Sequence, residues 1–177
     1  SGSLRWDLKG SRHYFFYTAF LLTFAGLAGV IATADAFNAF VFIEISSLGT
    51  YILVALGKNK RALLASYKYL IFGTIGATFF VLGVGILFVL TGSLNFLDIS
   101  NRLENLEQPA AHFTAMSFII IGLLIKSAIF PLHAWLPDSY KYAPAFVTCF
   151  FSAISTKVSL YLLIRILFDV GNINSLI

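Results

Sequence analysis

Five stretches of this sequence, roughly Tyr14–Thr33, Phe37–Leu56, Tyr69–Leu90, Phe113–Phe130 and Ala145–Phe168, are almost wholly apolar and about as long as a membrane is thick. The hydrocarbon core of a bilayer is about 30 Å, which a helix rising about 1.5 Å per residue crosses in about 20 residues. At that depth no water is available to an exposed backbone, and a helix satisfies its peptide groups internally. Composition agrees: 59% of residues are hydrophobic and 11% are charged, against roughly 25% charged in soluble domains. That leaves too little polar surface to cover a water-soluble body. The fold class expected is an all-α membrane protein with five transmembrane helices, one of them broken at a proline, and a short interfacial amphipathic helix.

Turn-forming or polar residues bound the runs: Asp35, Gly57 to Lys60, Gly92-Ser93 and the segment Pro131–Pro144. Arg5, Lys9, Arg12, Lys58, Lys60, Arg61, Lys68 and Lys141 then fall on one side of the membrane, and Arg102 and Arg165 on the other. The positive-inside rule places the N-terminus in the cytoplasm and the C-terminus outside a cell (inner) membrane. The lone Cys149 excludes an intrachain disulfide and a cysteine-based metal site. No signal peptide is visible, and a start at Ser1 reads as a cut end. The run Tyr14 to Tyr17 reads as an interfacial aromatic belt. The glycine-rich third run (Gly73, Gly76, Ala77, Gly83, Gly85) reads as a helix-packing face. Asn95–Gln108 mixes apolar and charged residues as an interfacial helix does.

Three of the runs carry charge. Glu44 lies near mid-depth, with Ser47 and Tyr51 on the same helical face. Lys126 lies close to the end of the fourth run. Lys157 lies near the middle of the fifth, on a helix that also bears Thr148, Ser152, Ser155, Thr156 and Ser159. Each such charge costs about 2.5–3.5 kcal/mol at bilayer centre, so each requires a partner, hydration or neutralisation. For Lys126 the ordinary alternative is snorkelling to the interface. For Glu44 and Lys157 it is a static ion pair that sets helix packing. Arg165 reads as an interface anchor. His13 and His112 fall on opposite membrane faces, so they cannot grip one haem between them. No cofactor or metal is expected.

Pro131 follows Lys126 closely. A proline lacks an N–H, so the carbonyl of Ser127 is expected to lose its helical partner. Irregular backbone at membrane depth is tolerated where it lines water or is buried in protein. The charge and the break thus read as one device, a hydrated pocket for Lys126, with His133 on the same side if the helix resumes in phase. Pro144 suits the first turn of the last span.

Four segments in order, FIEISSLGTYILVALG (Phe42–Gly57), TGSLNF (Thr91–Phe96), KSAIFPLHAWLPDSYKYAP (Lys126–Pro144) and FSAISTKVSLYLLIR (Phe151–Arg165), resemble the antiporter-like subunits of respiratory complex I and of Mrp-type multisubunit cation/proton antiporters, nearest to the branch of the Mrp D subunit. The resemblance implies that Glu44 pairs with Lys126 on the broken helix and that Lys157 continues a proton path, with Ser127, His133, Ser155 and Thr156 as supporting positions. It implies a cytoplasmic segment 1–13, one five-helix repeat over 14–168 and a tail 169–177. The family's second five-helix repeat is missing. Implied partners are other subunits of a membrane complex, protons and sodium, with no nucleic acid.

The leading expectation is a proton-translocating subunit of a cation/proton antiporter. The alternatives are a proton-pumping membrane subunit of an NADH:quinone oxidoreductase, beside flavin and iron–sulfur subunits, and a non-transporting fragment or scaffold. A free lysine holds its proton at neutral pH; burial weakens that hold and a nearby carboxylate strengthens it. Moving Glu44 relative to Lys126 would then switch the amine between holding and releasing.

Overall fold

The computed structural model describes residues 12–103 and 109–170. The expected N-terminal segment up to residue 11, with Arg5 and Lys9, lies outside the described residues. So do 104–108 of the expected interfacial helix and the tail from 171. Among the described residues the chain is helical, with no named strand: α1 Arg12–Ala32, α2 Ala36–Ala55, α3 Arg61–Thr91, α4 Phe96–Leu103, α5 Pro109–Lys126, α6 Leu136–Tyr142 and α7 Ala145–Asp169. The last is α-helical over Ala145–Phe150, widens to a π-helix over Phe151–Ser155, and returns to α over Thr156–Asp169.

Among the described residues, four helices are long and apolar enough to cross a membrane by length and composition: Tyr14–Ala32 of α1, then α2, α3 and α7. The expected fifth, over Phe113–Phe130, is shorter, because α5 stops at Lys126. The stop is a Schellman cap. Ala128 takes the left-handed conformation at φ 53°, its N–H donates to Ile125 O at 3.1 Å, and the Ile129 N–H donates to Leu124 O at 3.1 Å. A residue with a β-carbon costs about 1–2 kcal/mol in that conformation. A tertiary bond supports it: the Trp135 indole N–H donates to the Ile125 carbonyl at 3.1 Å. The break therefore precedes Pro131, and it is the cap rather than the loss of a partner at Ser127 O that ends the helix. Residues 127–135 form turns, and the chain does not resume in phase before α6. Pro144 stands immediately before α7, as its fixed φ favours.

α3 begins eight residues before the expected Tyr69 and, at 31 residues, spans about 46 Å, well beyond a hydrocarbon core. It packs most extensively on α5, as α1 does on α2. Backbones approach where side chains are absent. A β-carbon on Gly122 would lie 2.6 Å from Gly76 O, and one on Gly83 would lie 2.7 Å from Ala115 O. The packing reading of the glycine stripe holds at Gly76 and Gly83. Gly85 faces open space, and Gly73 faces Tyr51. Of the expected interfacial helix, α4 buries Phe96 and Ile99.

Two turns at one end of the bundle are stitched together. Ala36 N–H donates to Leu94 O at 2.8 Å and Phe96 N–H to Ala34 O at 3.0 Å. Arg165 of α7 donates to Thr33 O, pairs with Asp169 at 3.3 Å and lies 5.2 Å from the Phe96 ring centre. It clamps α7 to these turns. At the other end Tyr14, Phe15 and Tyr17 are exposed while Phe16 is buried.

Candidate functional site

α2 alternates apolar contacts with one polar face. Ile43 belongs to an apolar cluster with Phe80, Ile119 and Leu123. Tyr51 and Val54 belong to another with Tyr69, Trp135 and Phe151. Glu44 and Ser47 fall between them along the helix, and α5 brings Lys126 to the same level, because its last turn ends there.

The Lys126 ammonium donates to Glu44 Oε1 at 2.7 Å and to Ser47 Oγ at 2.9 Å. The lysine side chain is 4% exposed and that of Glu44 26%. Lys126 therefore does not snorkel; its amine turns inward. A charge-assisted bond of this kind is short and strong, and it is what makes a buried ammonium tolerable, since an unpaired one carries a penalty of several kcal/mol. The partial exposure of Glu44 leaves its carboxylate one accessible side.

Trp135 bonds the carbonyl of Ile125, the residue before Lys126. Its ring stacks on Tyr69 with centroids 4.3 Å apart and planes 4° apart. Tyr69 in turn meets Tyr51 edge-on, with centroids at 4.5 Å. The Tyr51 hydroxyl is buried and has no hydrogen-bond partner; Ser47 stands beside it, outside bonding geometry. Ser155 and Thr50 face the Tyr69 hydroxyl. Sequence spacing does not single out Trp135 or Tyr69: Tyr69 reads as the start of a span and Trp135 as one letter of a motif, and only packing stacks the two beside the last turn of α5.

Among the described residues, no hydrogen bond or ion pair joins the candidates Ser127, His133, Ser155, Thr156 or Lys157 to this pair. Lys157 is exposed on α7, and its amine folds back onto the Ser152 carbonyl and onto Thr156 Oγ1 at 3.3 Å. The π-helical widening lies just before it. The structure joins Glu44 and Lys126 and leaves Lys157 separate. The polar face of α7 is largely engaged locally: Thr148 donates to Tyr140 O at 3.1 Å and Ser152 to Cys149 O at 3.1 Å. Thr156 also faces Tyr140. Ser127 Oγ and His133 Nδ1 are buried without a partner in the turns after α5. At the basic end of the bundle, Lys68 bonds Asp138 at 2.7 Å and straps α3 to α6. That bond, followed by the lysine's charge, holds the exposed Asp138 carboxyl below the usual carboxylate range. Among the described residues no group of three His, Cys, Asp or Glu side chains is placed to hold a metal ion.

Known proteins resemble the chain over most of its length. The chain is 52% identical over 155 residues to NADH-quinone oxidoreductase subunit N of Desulforudis audaxviator (strain MP104C), covering 88% of this chain and 31% of that protein. It is 36% identical over 152 residues to the D subunit of the Na(+)/H(+) antiporter of Bacillus subtilis (strain 168), covering 86% and 31%. A chain of the membrane-bound sulfane sulfur reductase, an archaeal respiratory membrane complex, superposes with a TM-score of 0.81 at 42% identity, over 89% of this chain and 33% of that one. The chain thus spans less than a third of the length of these curated relatives. The family model described as "NADH:quinone oxidoreductase/Mrp antiporter, TM" matches residues 33–176. The chain is a multi-pass membrane protein of the NADH:quinone oxidoreductase/Mrp antiporter transmembrane family.

Proposed function

We propose that this chain is the proton-translocating segment of a membrane-embedded subunit, and that Glu44 and Lys126 form its switch. The observation that carries the reading is the 2.7 Å bond between a lysine 4% exposed and a carboxylate on a neighbouring helix. When the pair is closed, the carboxylate stabilises the ammonium and the proton is held. When Glu44 moves away, the buried amine loses its counter-charge and desolvation favours release. Ser127 and His133, with buried unpartnered atoms in the turns after α5, supply polar groups for water in the break. Lys157 is the next acceptor. Its exposed face on α7 meets the part of the relatives that this chain does not span, and Ser155 and Thr156 line the approach. In this reading α5 and the turns after it make a fifth, broken span, with the basic end of the bundle in the cytoplasm.

The test is replacement by arginine, which keeps the charge and does not deprotonate in proteins. Lys126→Arg and Lys157→Arg, each in the assembled complex, are expected to lower proton transport by about a hundredfold, the low end for loss of a proton-transfer group. Wild-type transport in both variants would leave only a static pair, and with it the non-transporting reading.

The assembly is either a cation/proton antiporter exchanging sodium or an NADH:quinone oxidoreductase. The second is favoured by the higher identity to an oxidoreductase subunit, 52% against 36%. Co-purification with flavin and iron–sulfur subunits decides for it, and their absence together with sodium-dependent proton uptake decides for the antiporter.

A further inference from the structure

Tyr51 is 6% exposed, yet its hydroxyl makes no hydrogen bond in this arrangement, although Ser47 stands beside it. A buried hydroxyl left unpaired is destabilising, so its retention calls for a reason. Its position supplies one. Tyr51 is one turn along α2 from Ser47, which already receives a hydrogen bond from Lys126 at 2.9 Å. Its ring meets Tyr69 at 4.5 Å, and the Tyr69 hydroxyl faces Ser155 on the π-helical part of α7. On α3 the backbone is bare at this point: a β-carbon on Gly73 would overlap the Tyr51 hydroxyl. The hydroxyl is thus given room, is kept from lipid, and lies between the buried pair and the helix that carries Lys157.

We propose that the Tyr51 hydroxyl carries protons between the Glu44–Lys126 pair and α7. The inference rests on the proton-relay reading above. Once the Tyr51 hydroxyl turns to accept from Ser47, a proton leaving Lys126 enters at Ser47 Oγ, the serine's own hydrogen passes to Tyr51 Oη, and the phenolic hydrogen passes by way of the Tyr69 and Ser155 hydroxyls to the neutral amine of Lys157, which ends as the ammonium. Both Ser47 and Tyr51 end neutral with one hydrogen each, and Lys126 ends as a neutral amine. The phenolate is never formed, so burial of the ring is no obstacle. The same chain runs in reverse when the pair reloads.

The experiment is Tyr51→Phe in the assembled complex, with transport and thermal stability measured together. Phenylalanine keeps the ring that packs on Tyr69 and removes only the unpaired hydroxyl. Stability is expected to be unchanged or higher, while proton transport falls about tenfold, the rate equivalent of one lost hydrogen bond of about 1.4 kcal/mol. Gly73→Ala, which leaves Tyr51 in place but displaces its hydroxyl, is expected to slow transport in the same direction. In infrared spectra the tyrosine C–O band lost on Tyr51→Phe is expected to shift when Lys126→Met is introduced, a change that ring packing alone does not produce. Wild-type transport in Tyr51→Phe, beside a strong loss in Lys126→Arg, would overturn the role of Tyr51 and leave the relay standing. Wild-type transport in both would overturn the relay itself.

Discussion

Lys126 illustrates how little of a side chain's fate its identity decides. Its stem is long enough to reach an interface, and its helix ends nearby, yet the amine turns toward Glu44 because Ser47 and the carboxylate offer two acceptors on one face of α2. A buried pair adds little net stability, but breaking one exposes the survivor to an uncompensated charge. Lys126→Met is therefore expected to cost about 2–3 kcal/mol, less than a fully buried pair would because Glu44 keeps some contact with the surroundings. The double variant Glu44→Gln/Lys126→Met is expected to recover most of that loss. Thermal unfolding in detergent measures both, and simple additivity of the single variants would show that the two residues do not interact. At this scale the sequence made Glu44, Ser47 and Tyr51 legible as one face, because helical spacing is a local property. Their union with Lys126, 82 positions away from Glu44, was not local and came only through the resemblance.

At the scale of elements, the helices are held by the residues that are smallest. Gly122 lies against Gly76 O and Phe80 N, backbone atoms that cannot rotate aside. Gly122→Ala is expected to push α3 from α5 at a cost of about 1–3 kcal/mol. Gly85→Ala, on the same α3 but facing open space, is expected to be neutral or to gain up to about 1 kcal/mol from helix propensity. Unfolding of the two variants side by side separates packing from propensity. The apolar lengths read from sequence placed α1, α2 and α7 well, because hydropathy decides what enters lipid. The end of α5 was misplaced by four residues. A proline is visible in a sequence, whereas a left-handed alanine is not: Ala128 adopts its conformation because the Trp135 indole and the Schellman bonds hold the last turn.

At the scale of the whole molecule, α7 packs along its length, with Val147 beside Phe16 and Leu53 and with Leu162 and Ile166 in the main apolar cluster. Phe151 packs behind Tyr69, and Arg165 grips the carbonyl of Thr33 and the face of Phe96. Because one guanidinium spans α7, the α1–α2 turn and α4, Arg165→Gln is expected to loosen all three at about 1–2 kcal/mol. Hydrogen exchange at the Ala36 and Phe96 amides, which close the two turns, is expected to quicken, and Arg165→Lys is not expected to restore it, since an ammonium lacks the planar fork. Unchanged exchange at those amides would show that the turns hold without the clamp.

What the sequence determined alone was the solvent, the class of element and the list of charges that required an explanation, because apolar length and helical spacing depend on neighbours along the chain. What only the tertiary structure decided was which charges meet. Lys126 reaches a carboxylate and Lys157 faces outward, though both lie in apolar runs. The difference arises because side-chain environment is set by the helices packed alongside, and those are brought together by bare glycine backbone, a capped helix end and one stacked tryptophan.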